Sequence, residues 1–219
     1  MKRIDNYWYS KNRVSSILKP LSWLFCSIVY VRKLLFKLRV LSSYRSKLPI
    51  IVVGNITVGG TGKTPMVIWL ARQLINAGYK PGIISRGYGG KASHWPQQVR
   101  PDSDPYVVGD EPLLIAQRTG CPMAVGPSRV DAAHALKEFT DCDVLISDDG
   151  MQHYRLRRDM EICIIDGKRR FGNGLCLPAG PLREKPSRLK SVDFVVTNSA
   201  NAEVGEISMQ LAGGIIKQL

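Results

Sequence analysis

Residues 49–53, Pro-Ile-Ile-Val-Val, form a short apolar run that passes through Gly54-Asn55-Ile56 into Thr57-Val58-Gly59-Gly60-Thr61-Gly62-Lys63-Thr64. Behind it Met66, Val67, Leu70, Ala71 and Leu74 recur at helical spacing. A strand, a glycine-rich turn and a helix opening on Lys-Thr together read as a phosphate-binding loop. Successive backbone N–H groups at a helix N-terminus, backed by the helix dipole, cradle an anion. Lys63 adds a point charge, and the Thr64 hydroxyl can ligate Mg2+. Thr57 stands where the strict G-x-x-x-x-G-K-[ST] pattern has its first glycine, and Gly60 is an additional one. An ordinary glycine-rich turn is the plainer alternative, and the flanking strand and helix together argue against it.

The loop constrains the fold. Apolar runs at 81–85, 122–125, 144–147, 160–165 and 192–196 read as strands, and 110–118 and 129–139 read as helices between them. Strand alternating with helix implies parallel crossovers. The expected fold is therefore α/β, a P-loop NTPase-like, doubly wound, mostly parallel sheet with its ligands beyond the carboxyl ends of the strands. Residues 87–106 carry a glycine cluster and several prolines with little periodicity, which predicts a long functional loop.

The basic charge is concentrated at one end. Of the formal net charge of +13, residues 1–49 carry +10, with Asp5 the single acid among them. Ile17, Leu21, Leu24, Ile28, Val31, Leu35 and Leu38 step by threes and fours, the pattern of one face of a long helix over 14–41 with Pro20 near its first turn. The longest stretch without charge, 20–31, falls short of the roughly 20 residues that span a bilayer. No signal-peptide pattern is present. Lys/Arg flanks with Trp8, Trp23 and Tyr30 fit a helix lying in the interface of an anionic leaflet; packing of the stripe on the protein's own core fits the same periodicity. The expected division is 1–48 as a basic amphipathic membrane-associating segment and 49–219 as the P-loop core. Nucleic acid is not expected, because the cations alternate with bulky aliphatics and form no recognition module. The five cysteines show no zinc spacing and read as reduced, mostly buried thiols.

Asp148 and Asp149 follow the apolar run 144–147 and so belong at the carboxyl edge of a central strand, where a phosphate loop's Mg2+ partner sits; an acidic turn before Gly150 is the simpler reading. His153 lies just beyond, able to meet phosphate or serve structurally. Asp110 is placed as a helix N-cap or as a free carboxylate. Arg183-Glu184 ends the proline-rich 178–184 and can bind phosphate and metal or form a surface ion pair. Arg86 follows the second strand onto the ligand edge and can meet an anionic group of an acceptor.

Residues 54–65, 85–89, 109–112, 148–153 and 178–184, in this order and spacing, resemble the tetraacyldisaccharide 4'-kinases of lipid A biosynthesis. Thr57 is the form that family uses. The resemblance implies transfer of the ATP γ-phosphoryl group to the 4'-hydroxyl of a tetraacylated glucosamine disaccharide 1-phosphate, with ATP and Mg2+ as cofactors, at the cytoplasmic face of the bacterial inner membrane. It implies Asp110 as base for the sugar hydroxyl and Arg183 as the phosphate-stabilising arginine. Residues 57–64 bind nucleotide, with Lys63 also catalytic, and Thr64, Asp148, Asp149 and Glu184 bind metal. Arg86, Arg129 and His153 face substrate or phosphate. The basic helix then meets an anionic lipid surface, and no protein partner is implied. Chains of this family continue into a second lobe that carries a histidine supporting the base. This sequence, ending at Leu219 with only His94, His134 and His153, reads as shortened, with its activity in question.

Two other classes make different demands on the sequence. A regulatory or metal-chaperone-like P-loop GTPase would place Asn-Lys-x-Asp after the strand at 192–196; Asn198-Ser199-Ala200-Asn201 lacks the lysine and the aspartate. A non-enzymatic membrane or nucleic-acid binder would use the basic end alone.

Overall fold

The computed structural model describes residues 5–10, 13–199 and 202–211. Three helices come first, α1 (Asp5–Trp8), α2 (Arg13–Ile17) and α3 (Lys19–Lys37). The sheet strands and their helices follow as β1 (Ile50–Gly54), α4 (Lys63–Asn76), β2 (Pro81–Ser85), β3 (Gln97–Val99), α5 (Pro105–Val108), α6 (Asp110–Thr119), β4 (Met123–Val125), α7 (Arg129–Phe139), β5 (Val144–Asp148), β6 (Met160–Asp166), β7 (Phe194–Asn198) and β8 (Ile207–Met209). They form one eight-stranded sheet in the order β3-β4-β2-β5-β1-β6-β7-β8. Every pairing is parallel except β3 with β4.

Alternation along the strands builds two cores. Val52, Ile84 and Leu145 pack with the buried face of α7, whereas Val53, Ile83 and Ile146 pack with α4 and α6. Period-two alternation sends successive side chains to opposite faces, so both faces are covered and the strands read as continuous apolar runs. The crossovers place β5 between β1 and β2, with Val53 opposite Asp148. The turn after β1 and the turn after β5 are thereby neighbours, which is what brings the glycine loop to the paired aspartates.

Three expectations change. The helix expected over 14–41 is divided into α2 and α3, and residues 38–41 fold back, with the Val40 and Leu41 N–H groups donating to Leu35 O. The loop expected over 87–106 contains β3, an antiparallel edge strand too short to show a period, and the start of α5. The cysteines are not all thiols: Cys26 of α3 and Cys176 form a disulfide, while Cys121, Cys142 and Cys163 are free and buried. A separation of 150 residues hides that pairing from any spacing rule.

Helix α3 rests on the β1/α7 core through Phe25 and Cys26, and the Ser22 hydroxyl donates to Cys176 O at 2.8 Å. Its other face looks outward: Ile17, Leu21, Leu24, Ile28, Val31 and Leu38 are 50–77% exposed. Apart from half-buried Leu35, the stripe read from the sequence therefore faces solvent, and a second set of residues makes the contact with the core. Among the described residues no helix is long and apolar enough to cross a membrane.

Candidate active site

The phosphate loop is held from inside and from both flanks. Gly62, the N-cap of α4, has φ 100°, which strains any other residue, and a Cβ there would crowd Met209 Cε at 3.0 Å and Asn198 Nδ2 at 3.1 Å. Asn55 Nδ2 crosses the loop to Thr61 Oγ1 at 3.0 Å, and Asn198 Nδ2 donates to Thr61 O at 3.4 Å. Arg169, anchored on Asp166 at 2.7 Å, donates to Gly60 O. On the other side Thr57 bridges Leu182 antiparallel, Val58 N donates to Pro181 O at 2.8 Å and Arg183 N to Ile56 O at 2.7 Å. These backbone bonds dock the proline-rich loop on the phosphate loop and fix where Arg183 and Glu184 stand.

The side chains converge on Asp149. Its carboxylate accepts from Arg183 Nη1 at 2.9 and 3.0 Å and lies 3.8 Å from Lys63 Nζ. Asp149 has φ 47°, a left-handed conformation that aspartate tolerates better than bulky residues and that stores strain at functional turns. Asp148 beside it is 3% exposed; Ser85 Oγ donates to its Oδ2 at 3.1 Å, and its Oδ1 is buried with no partner. Burial first, and then the Asp149 charge, push its carboxyl up to about 6. A buried carboxylate oxygen with nothing to bind is costly, and a divalent cation is the group that would satisfy it. Mg2+ commonly takes one or two carboxylates and leaves its remaining positions to water and phosphate. Asp148, with Asp149 next to it, therefore fits such an ion, although no group of three His, Cys, Asp or Glu among the described residues is arranged to hold a metal.

An open cleft of about 540 Å3 adjoins this point, lined by Arg86, Arg129, Asp149, His153 and Arg183 on the core side and by Phe25 and Ile28 of α3 on the other. The three expected substrate-side residues are thus brought together. Arg129 is 4% exposed, and its Nη atoms donate to the carbonyls of Gly126, Asp148 and Asp149 at 3.3–3.4 Å. It braces the aspartate turn from within the protein. Asp110 opens α6 rather than capping it, because Gly109 takes the N-cap position with φ 95°. A Cβ on Gly109 would come 2.5 Å from Tyr88 O, so α6 starts against the loop that carries Arg86. The Asp110 side chain is exposed and makes no hydrogen bond or ion pair with described residues.

The family model described as "LpxK: Tetraacyldisaccharide-1-P 4'-kinase" matches residues 14–217. The chain belongs to the tetraacyldisaccharide-1-P 4'-kinase family. Curated members named tetraacyldisaccharide 4'-kinase are 57% identical in Nitrosococcus oceani, over 94% of this chain and 61% of that protein, and 54% identical in Methylobacillus flagellatus, over 95% and 62%. LpxK from Aquifex aeolicus, solved in complex with ATP, superposes with a TM-score of 0.80 at 30% identity, over 89% of this chain and 64% of that one. The chain spans about three-fifths of the length of the curated relatives it matches.

Within this kinase family fold, Glu184 is turned into the protein. It is 4% exposed, and its carboxylate accepts from Tyr154 Oη at 2.5 Å and Gln152 Nε2 at 2.9 Å, with Arg188 Nε 3.5 Å away. Both of its oxygens accept a hydrogen bond, as both oxygens of Asp149 do. Gln152 also donates to Asn55 O at 3.1 Å and accepts from Arg183 Nη1 at 3.4 Å, so it ties the Glu184 cluster to the phosphate loop and to Arg183. Sequence reasoning missed Gln152, Tyr154 and Arg169. Gln152 and Tyr154 flank the His153 already singled out, and Arg169 lies just past the carboxyl end of β6, the one signal that pointed to it. In the guanine-reading comparison, Asn198 is committed to the phosphate loop, while Ala200 and Asn201 lie outside the described residues.

His153 is half-buried beside arginines. Burial first, and then Arg129, Arg158, Arg32 and Arg155, lower its pKa from 6.5 to about 4, so the imidazole is neutral at pH 7 and meets an anion as a dipole. The unfolded chain takes up a proton near pH 6.5 that the folded chain refuses until about 4, so folding stability falls as pH drops through that window. Urea melts at pH 7 and pH 5 should show a larger loss for the wild type than for His153→Gln; equal losses would remove this burden from His153.

Proposed function

We propose that this chain carries the nucleotide and metal half of a kinase that moves the γ-phosphoryl group of ATP to the 4'-hydroxyl of a tetraacylated glucosamine disaccharide 1-phosphate, the step that forms lipid IVA in lipid A biosynthesis. The observation that carries the reading is the meeting of Lys63 and Arg183 on Asp149, beside the orphaned Asp148 oxygen and at the mouth of an arginine-lined cleft. Family membership and the ATP complex of the Aquifex aeolicus relative support it.

Phosphoryl transfer needs positioning and charge neutralisation more than covalent chemistry from the protein. The backbone N–H groups of residues 57–64 and the Lys63 ammonium hold the donor phosphates. Mg2+ bound with ATP supplies charge neutralisation at the transferring phosphoryl group, and Asp148, Asp149 and Thr64 are the residues to hold it. Arg183 uses only Nη1 on Asp149 and Gln152; its Nη2 and Nε make no hydrogen bond with described residues and are available to phosphoryl oxygens. Asp110, exposed and unpaired, accepts the proton of the sugar hydroxyl. Arg86 and neutral His153 orient the acceptor in the cleft, and Arg129 keeps the aspartate turn in place.

The outward face of α3 lies on the cytoplasmic leaflet of the bacterial inner membrane, with the apolar stripe among acyl chains and the flanking cations at the headgroups. Leu24→Glu/Ile28→Glu should weaken vesicle binding by at least about a hundredfold, since two large side chains leave the lipid, while ATP binding is retained. Unchanged vesicle binding would refute the interfacial face. The transfer itself is tested by incubating the chain with Mg-ATP labelled on the γ-phosphate and tetraacyldisaccharide 1-phosphate. Label at the 4'-position is expected, and label on any other hydroxyl would overturn the assignment.

A further inference from the structure

Next to the acceptor cleft, with which it shares Val29 and Arg183, lies a second cleft, of about 300 Å3, between α3 and the segment that runs from Arg183 into the 3-10 turn Pro186–Ser191. Lys33 and Lys37, one helical turn apart, line one wall, and Lys185 and Arg188 line the other. None of the three lysines makes a hydrogen bond or ion pair with described residues. The acid of the wall is Glu184, whose carboxylate is buried and already bonded to Tyr154 and Gln152. Arg188 is held by Glu161 at 2.5 Å, and the Glu184 and Glu161 carboxylates act on Lys33 through space without bonding to it. The pKa of half-buried Lys33 is lowered, by burial first and by Arg188 second, and Glu184 and Glu161 offset part of this. The lip of the cleft is apolar: Tyr30 is 66% and Leu34 37% exposed, and they lead from the lysines to Val31 and Leu38 of the outward stripe.

We infer that this cleft is a binding site for the phosphodiester headgroup of an anionic phospholipid, held by Lys33, Lys37 and Lys185 with its acyl chains running over Tyr30 and Leu34. The inference rests on the interfacial placement of α3 and adds a site to it. Three points separate it from general attraction to a charged surface. The lysines come from two different segments facing one cleft, they form no hydrogen bond or ion pair with described residues, and an apolar track leads from them to the face that enters the membrane. The disulfide between Cys26 and Cys176 lines the same cleft and fixes its two walls to each other, so the site is formed before a lipid arrives.

The test is partitioning of the full chain onto phosphatidylcholine vesicles with and without phosphatidylglycerol. Lys33→Ala/Lys185→Ala should reduce the phosphatidylglycerol preference about thirtyfold, roughly the worth of two basic residues fully engaged at an anionic surface. Lys19→Ala/Lys47→Ala removes the same charge outside the cleft and should reduce it by no more than about threefold. Retained ATP binding checks that both variants fold. Equal losses from the two pairs would mean a diffuse basic surface and would overturn the site. If Lys33→Ala/Lys185→Ala instead raised the KM for the acceptor lipid and left phosphatidylglycerol partitioning unchanged, the cleft would belong to the acceptor, which also overturns it. The interfacial reading fails separately: a wild-type chain that binds neither kind of vesicle refutes both, whereas one that binds both equally refutes the headgroup site alone.

Discussion

Arg183→Ala should slow phosphoryl transfer about a thousandfold while changing Mg-ATP affinity by less than about tenfold, the pattern of an arginine that acts on the transition state. The reason is the way Arg183 is held. Its backbone N–H donates to Ile56 O at 2.7 Å at the entrance of the phosphate loop, and one side-chain nitrogen serves both oxygens of Asp149. The rest of the guanidinium is unspent. A charge fixed in advance beside the phosphate loop costs no reorganisation when negative charge spreads over the transferring group. Arg183→Lys keeps a charge and loses the planar fork, and should recover only part of the rate. Single-turnover kinetics with labelled ATP separate binding from transfer. A variant within about tenfold of the wild-type rate would show that Arg183 serves as the partner of Asp149 and nothing more.

Asp110→Asn should abolish measurable turnover, a loss of about a hundredfold to ten-thousandfold for a general base, and leave ATP binding intact. The structure gives this aspartate no stabilising partner to lose, since it is exposed and makes no cap hydrogen bond. The melting temperature of the variant should therefore stay close to that of the wild type, and that is the control that separates a chemical role from a structural one. Glycine at 109 places the helix start against Tyr88 O and so keeps Asp110 near the Arg86 loop. Full turnover by Asp110→Asn would remove the proposed base, and a large drop in melting temperature would assign Asp110 to the fold instead.

The parts of the site legible in the sequence were those set by local chemistry. An apolar strand followed by Gly-Lys-Thr announces a phosphate loop, and Val144-Leu145-Ile146-Ser147 announces the edge at which Asp148 and Asp149 stand, because strand length and turn chemistry are local properties. Contacts between distant segments were not legible. Glu184 looked like a surface acid or a metal ligand, and only the docking of residues 181–183 on residues 56–58 turns it inward to Tyr154 and Gln152. The disulfide of Cys26 with Cys176 was hidden for the same reason. Periodicity found the apolar stripe of α3 without telling which way it faces; Ser22, Phe25 and Cys26, a less regular set, make the contact with the core. The part of Arg129 that no local pattern announces is its hold on the Asp148 and Asp149 carbonyls, made from a buried position at the wall of the cleft.

Calorimetric titration of the chain with ATP, with and without Mg2+, for the wild type and Lys63→Ala, tests most directly whether the glycine loop and the aspartate pair form one donor site. Saturable binding that tightens with Mg2+, exceeds that of GTP and is lost in Lys63→Ala is the predicted result. ATP binding indifferent to both Mg2+ and Lys63, or tighter binding of GTP, would contradict it.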